Sequence, residues 1–164
     1  MPAFAPAGDE STSTWLDAAQ RPAVSPLPDG FRLRSRAETA GRPHHMIRRN
    51  GEHVGKRLAG CSLYDPELDL LVEGPNGDVA GYALFWADPV TRVGLVEPMR
   101  VEDGCRRRGI AKHLLTAGIN RLAARGCERV KVGYWEGNPG AKALYLGAGF
   151  RPDASDCVYR RGAG

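Results

Sequence analysis

Between Val93 and Leu122 the hydrophobic period of the chain changes, and three consecutive arginines mark the change. Val93, Leu95, Val96, Met99 and Val101 form an apolar strand pattern. Ile110, Leu114, Leu115, Gly118, Ile119 and Leu122 then recur at the three-to-four spacing of a helix buried on one face. The spacing predicts a helix that begins near Gly109. Its first turn carries backbone N–H groups without an intrahelical partner and the positive end of the helix dipole, and Arg106, Arg107 and Arg108 add fixed charge beside them. Gly109 and Ala111 remove side-chain bulk, so an anion can approach the main chain. The stretch reads as a phosphate cradle. A solvated basic turn is the plainer reading of the same residues.

Downstream residues separate the two readings. Arg106-x-x-Gly109-x-Ala111 resembles the Q/R-x-x-G-x-G/A acyl-CoA-binding motif of the GNAT superfamily of N-acyltransferases, and Asn138-Pro139-x-Ala141-x-x-Leu144-Tyr145-x-x-x-Gly149-Phe150 resembles its closing motif. The two occur in the family's order and separation. The likeness is tight from about Leu68 to Pro152, fades between Ser35 and Tyr64, and is absent before Leu27. Within the superfamily, Leu63-Tyr64-Asp65-Pro66-Glu67-Leu68 is similar to the C-terminal half of tandem-repeat members related to mycothiol synthase.

The 164 residues suit one core, and 42% hydrophobic with 26% charged residues excludes fibrous and disordered classes. No apolar run is long enough to span a bilayer and no basic-then-apolar leader is visible, so the expected location is cytoplasmic. Cys61, Cys105, Cys127 and Cys157 lie far apart and read as reduced structural thiols. The net charge of +4 is unevenly placed: Arg100 to Lys131 holds nine Lys/Arg against three Asp/Glu, a local +6 that leaves −2 elsewhere. Single-strand nucleic-acid surfaces interleave such charge with stacking aromatics, and this segment has none. A discrete polyphosphate ligand fits better than a nucleic acid.

Residues 1–28, rich in Ala, Pro, Ser and Thr, read as an N-terminal tail or linker, with a short helix over Thr14–Ala19 as an alternative, and residues 29–164 as a single domain. Phe31-Arg32-Leu33-Arg34 alternates as a first strand. Gly41, Pro43 and Asn50-Gly51 break up the region from Arg36 to Cys61, where a helix from about Glu52 to Gly60 is expected with Val54 and Leu58 inward. Leu68–Glu73, Asp78–Trp86 and Val93–Val101 are sequential antiparallel strands, the first two joined by a hairpin at Asn76-Gly77. Arg129–Tyr134 follows a helix crossover, which favours parallel pairing with the strand before it. A short helix from Pro139 to Leu146 and a final strand at Cys157–Tyr159 complete a mixed α/β sheet with flanking helices. The resemblance sharpens this to the GNAT fold, a mixed six- to seven-stranded sheet whose fourth and fifth strands splay to admit the pantetheine arm. Pro98 lacks the N–H of a regular central strand and predicts a bulge there.

The resemblance implies transfer of an acyl group, most simply acetyl from acetyl-CoA, to a primary amine by direct attack in a ternary complex. It assigns the pyrophosphate to Arg106, Arg107, Arg108, Gly109, Ile110 and Ala111. The pantetheine falls to the main chain of Met99, Arg100 and Val101, with further cofactor contacts at Asn138, Ala141 and Tyr145. An amine with an unperturbed pKa near 10.4 needs a base, often through a water. Glu97 is the candidate, and a surface ion pair with Arg92 or Arg100 is its bland alternative; Tyr134 and Glu73 stand in reserve. Tyr145 matches the tyrosine that protonates the departing thiolate, and Asn138 suits both an N-cap and a cofactor contact. Cys105 reads as packing. Adjacent side chains project differently, so His44-His45 is not read as a metal site, although a histidine base in the acceptor wall stays open. The expected partner is a small-molecule or peptide amine. Late strands of this family support homodimers, which nothing in this sequence demands. The rival readings are a CoA-binding sensor or assembly module without turnover, and a basic RNA-binding domain.

Overall fold

A computed structural model describes residues 4–161, with side chains described for residues 10–157. Seven strands form one mixed sheet: β1 (Phe4–Asp17), β2 (Arg32–Ser35), β3 (Asp69–Glu73), β4 (Val79–Asp88), β5 (Val93–Val101), β6 (Arg129–Trp135) and β7 (Arg151–Arg161), in the order β2-β3-β4-β5-β6-β1-β7. The helices are α1 (Ile47–Asn50), α2 (Val54–Ala59), α3 (Ile110–Ala124) and α4 (Pro139–Gly147).

The expected meander β3–β4–β5 is antiparallel, and α3 crosses over to place β6 parallel to β5. The main core packs Leu114, Leu115, Ile119 and Leu122 of α3 against Val72, Phe85, Val96 and Val130 of the sheet. A smaller cluster on the opposite face joins Met46 and Val54 to Leu71, Tyr82 and Leu84. In α2, Val54 is buried, Leu58 half-buried, and Lys56 and Arg57 exposed, as the pattern implies.

The N-terminal stretch corrects the composition-based reading. Phe4–Asp17 is neither tail nor linker, and of Thr14–Ala19 only Ala18 and Ala19 enter a single 3-10 turn (Ala18–Gln20): β1 lies inside the sheet, antiparallel to β6 on one side and to β7 on the other. Its buried face is carried by Thr12, Thr14 and Leu16, at 4%, 0% and 4% exposure. Threonine is β-branched and suits a strand, but it does not register as hydrophobic. The Thr14 hydroxyl donates to the Val132 carbonyl at 2.9 Å, which removes the cost of burying it. The final strand is likewise longer than Cys157–Tyr159, because β1 gives β7 a partner from Arg151 onward.

Two glycines let α3 lie close to the sheet. A Cβ on Gly118 would stand 1.9 Å from the Phe85 ring, and one on Gly94 would stand 2.6 Å from Leu122. Phe85 and Leu122 are fully buried, so neither can yield cheaply. Gly118→Ala is therefore expected to destabilise by about 1–3 kcal/mol despite the better helix propensity of alanine. A chemical-denaturation midpoint at or above wild type would contradict this packing.

Candidate active site

The site is built around an interruption in the sheet. β5 and β6 pair only through Val93↔Arg129, Gly94↔Val130 and Leu95↔Lys131, after which the ladder ends. Met99, Arg100 and Val101 keep their partners Ala83, Tyr82 and Gly81 in β4, while their other edge has no ladder partner in β6. The register shifts by one residue between Ala83↔Met99 and Phe85↔Val96, so β5 bulges at Glu97 and Pro98, where proline supplies no N–H. The carbonyl oxygen of Glu97 accepts a 2.8 Å hydrogen bond from the Trp86 indole N–H.

The basic turn and α3 stand next along the chain. Arg107 has a φ of 63° and Gly109 a φ of 79°, so the main chain curls before Ile110 begins the helix. Arg106 is ion-paired to Asp103 at 2.8 Å, and Arg106, Arg107, Arg108 and Gly109 are exposed. Ile110 anchors the helix start in the core at 1% exposure, while its N–H belongs to the unpartnered first turn. Ala111 is half-buried and Cys105 packs against the core. The turn combines helix N–H groups, the dipole and three guanidinium groups.

On the same face, α4 brings Tyr145 to β5. Its ring is 7% exposed, sits edge-on to Phe150, and its hydroxyl lies 4.0 Å from the Met99 sulfur. Burial pushes the phenol pKa up, so the group stays neutral and able to donate a proton. Asn138 caps α4 by accepting from the Ala141 N–H at 3.1 Å, with Pro139 at the first helical position. The side chain of Glu97 is exposed and makes no ion pair among the described residues. The bland partners foreseen for it are engaged elsewhere: Arg92 pairs with Glu128 at 2.7 Å, and Arg100 lies 3.9 Å from Glu102, which also holds Arg49 at 3.1 Å. Of the reserve bases, Glu73 is bound to Arg42 and Arg34, and Tyr134 is buried with Lys142 near its ring.

The opposite face holds a network that sequence reasoning missed. His44 and His45 do not diverge. Their rings stack at 4.4 Å and turn their Nε2 atoms toward the two oxygens of Asp69, at 3.0 and 2.9 Å. The Tyr64 hydroxyl donates to the same carboxylate at 2.7 Å. His44, His45 and Asp69 bring ligand atoms within 4.8 Å of one another. The Nδ1 of His44, however, accepts the Met46 N–H at 3.2 Å, so its proton sits on Nε2 and points at Asp69. As arranged, His44 is a donor to a carboxylate rather than a metal ligand. An Asp at the head of the apolar run Leu68–Val72 was the available signal, because a buried carboxylate demands donors.

Burial raises the Asp69 pKa, but hydrogen bonds from His44 and Tyr64 and the imidazole of His45 beside it outweigh burial and hold the group at about 2. A folded-state pKa below the unfolded value near 3.9 contributes stability that is fully present above that value and is lost as pH falls toward 2. The stability gap between wild type and Asp69→Asn is expected to be on the order of 2 kcal/mol at pH 7 and to narrow between about pH 4 and pH 2. Denaturation series at several pH values measure it, and a gap independent of pH would refute the assignment.

These parts, a parted strand pair, a basic helix N-terminus and a buried tyrosine, meet their counterpart among known proteins. The family described as "Acetyltransferase (GNAT) family" matches residues 27–150. The chain belongs to that family. Among its relatives, a mycothiol acetyltransferase of Beutenbergia cavernae is 31% identical over 151 residues, covering 83% of this chain and 50% of the relative. One from Clavibacter michiganensis is 37% identical over 98 residues, covering 60% and 31%. The chain thus spans half or less of the length of these curated relatives. Among solved structures, a GCN5-related N-acetyltransferase from Sphaerobacter thermophilus superposes with a TM-score of 0.76 at 21% identity, covering 96% of this chain and 52% of that one. A tandem GNAT protein from the clavulanic acid biosynthesis pathway gives 0.70 at 17% identity, covering 96% and 53%. The solved structures bear on the fold, which is the GNAT fold read from the sequence. The strands foreseen as fourth and fifth are β5 and β6 once β1 is counted.

Proposed function

We propose that this GNAT domain transfers an acetyl group from acetyl-CoA to the primary amine of a small molecule. The observation that carries the reading is the separation of β5 from β6 beyond Leu95 and Lys131, with the α3 N-terminus along the chain on one side and Tyr145 on the other. In this reading the pyrophosphate lies on the main chain of residues 107–111 with Arg106, Arg107 and Arg108 around it. The pantetheine amides pair with the free edge of Met99–Val101 as an added strand would. Asn138 and Ala141 border the same arm from the start of α4.

The chemistry follows from the side chains at hand. The amine loses its proton to Glu97, directly or through one water, and its nitrogen attacks the thioester carbonyl. A main-chain N–H near Val101 supports the developing oxyanion. Collapse of the tetrahedral adduct breaks the C–S bond, and the Tyr145 hydroxyl gives its proton to the sulfur. A neutral phenol, favoured by burial, suits that role. The relatives' name, mycothiol acetyltransferase, favours a small-molecule acceptor over a protein one. The unengaged carboxylate of Glu97 favours turnover over CoA sensing alone.

A thermal-shift titration with acetyl-CoA, longer acyl-CoAs and free CoA tests the cofactor site. Acetyl-CoA is expected to raise the midpoint in a concentration-dependent way, and Arg106→Ala with Arg108→Ala to abolish the rise. Thiol release is then measured against glucosamine, spermidine and a lysine peptide. Glu97→Gln and Tyr145→Phe are expected to lower kcat by about 100-fold or more while keeping the acetyl-CoA shift. No midpoint shift with any CoA species would overturn the proposal.

A further inference from the structure

The bulge in β5 creates a main-chain debt in the middle of the sheet. One extra residue between the Phe85↔Val96 and Ala83↔Met99 pairs takes Glu97 and Pro98 out of the ladder. The Glu97 carbonyl thereby loses its β4 partner at an exposed point of the strand. Trp86 supplies the missing donor. Its main chain pairs with Leu95, and its indole reaches along β5 to place the Nε1 hydrogen on the Glu97 oxygen at 2.8 Å.

The ring is itself held. Trp86 packs against the second core cluster of Met46, Val54, Leu71, Tyr82 and Leu84, and the Tyr64 ring lies 6.4 Å away at 59°. Tyr64 in turn is tied to Asp69 with the two histidines. A continuous set of contacts therefore runs from the buried carboxylate through Tyr64 and Trp86 to the backbone that bears Glu97. On the far side of the bulge, Met99 stands beside the Tyr145 hydroxyl. One indole N–H thus sits where the side chain of Glu97 and the free edge of Met99–Val101 are set relative to each other.

We infer that Trp86 is a positioning residue for acyl transfer, its indole N–H fixing the β5 bulge so that the Glu97 carboxylate meets the amine. This inference rests on the reading of Glu97 as the base. Trp86 does not need to touch either substrate, so its loss acts on kcat and on proton removal rather than on acetyl-CoA binding.

The test uses the full chain with the best amine of the thiol-release panel. Trp86→Phe keeps an aromatic ring and removes the donor; Trp86→Tyr keeps a ring with a donor at its tip. Each is made in the wild-type and Glu97→Gln backgrounds, and kcat is followed against pH. Trp86→Phe is expected to lower kcat about tenfold, to displace the acidic limb of the kcat profile, and to leave the acetyl-CoA midpoint shift within twofold in ligand concentration. In the Glu97→Gln background the same change is expected to cost less than twofold, because both act through one carboxylate. Trp86→Tyr should recover part of the rate. If Glu97→Gln is impaired while Trp86→Phe turns over and titrates as wild type, the positioning role is overturned and the base reading stands. An equal loss from Trp86→Phe in both backgrounds likewise overturns it. If Glu97→Gln is fully active, or no amine releases thiol, the base reading falls and carries this inference with it.

Discussion

Everything distinctive in this molecule depends on a parallel ladder that stops after three pairs. A regular β5–β6 pairing would consume the main-chain groups of Met99–Val101 and close the sheet. Two local causes prevent it. The bulge at Glu97 and Pro98 turns β5, and the crossover through α3 brings β6 back only at its first three residues. Since backbone groups need partners, the proposed ligand is one that carries amides of its own. The close seat of α3, permitted by Gly94 and Gly118, fixes the basic turn relative to that opening.

The two faces of the sheet are organised by different forces. Under α3 and α4 the packing is apolar, with Leu114, Leu115, Ile119 and Leu122 fully buried, and among the described residues the Tyr145 hydroxyl has only the Met99 sulfur, at 4.0 Å, as a hydrogen-bond partner. Under α1 and α2 a buried carboxylate gathers two imidazoles and a phenol. Short helices with many Gly and Pro neighbours cannot be fixed by hydrophobic area alone, and the directional bonds to Asp69 supply the missing constraint. The seat of α1 and α2 on the sheet is therefore specified by hydrogen-bond geometry, which is less tolerant of substitution than area.

How far the sequence could be read follows from which residues carry each element. The bulge was legible because proline physically lacks a donor, and the helix start because period, glycine and charge coincide between Arg106 and Ala111. The meander β3–β4–β5 was legible from its turns. β1 was not, since Thr12 and Thr14 do the work of aliphatic residues on its buried face and Pro and Ala dilute the rest. The histidine cluster was invisible to periodicity because His44 and His45 lie between elements, where neither a 2.0 nor a 3.6 repeat applies. Only Asp69, a charge inside an apolar run, hinted at it. The places of Glu97 and Trp86, on which their proposed roles rest, are set by a register shift, which no single residue announces.

The place of β1 bears on how the chain reaches its fold. Thr12 bonds to Glu136 and meets Ser155, partners 124 and 143 residues away, so β1 is synthesised well before the strands that flank it. Closing such loops is slow, and high contact order lengthens the time that strand edges stay bare. A waiting segment built of Val, Ile and Phe would template intermolecular sheets. β1 carries the charges Asp9, Glu10 and Asp17, a proline at Pro6 and only three large apolar residues, Phe4, Trp15 and Leu16, so it has less to offer a wrong partner. The composition that disguises β1 as a tail is thus also what keeps it harmless until β6 and β7 exist to receive it.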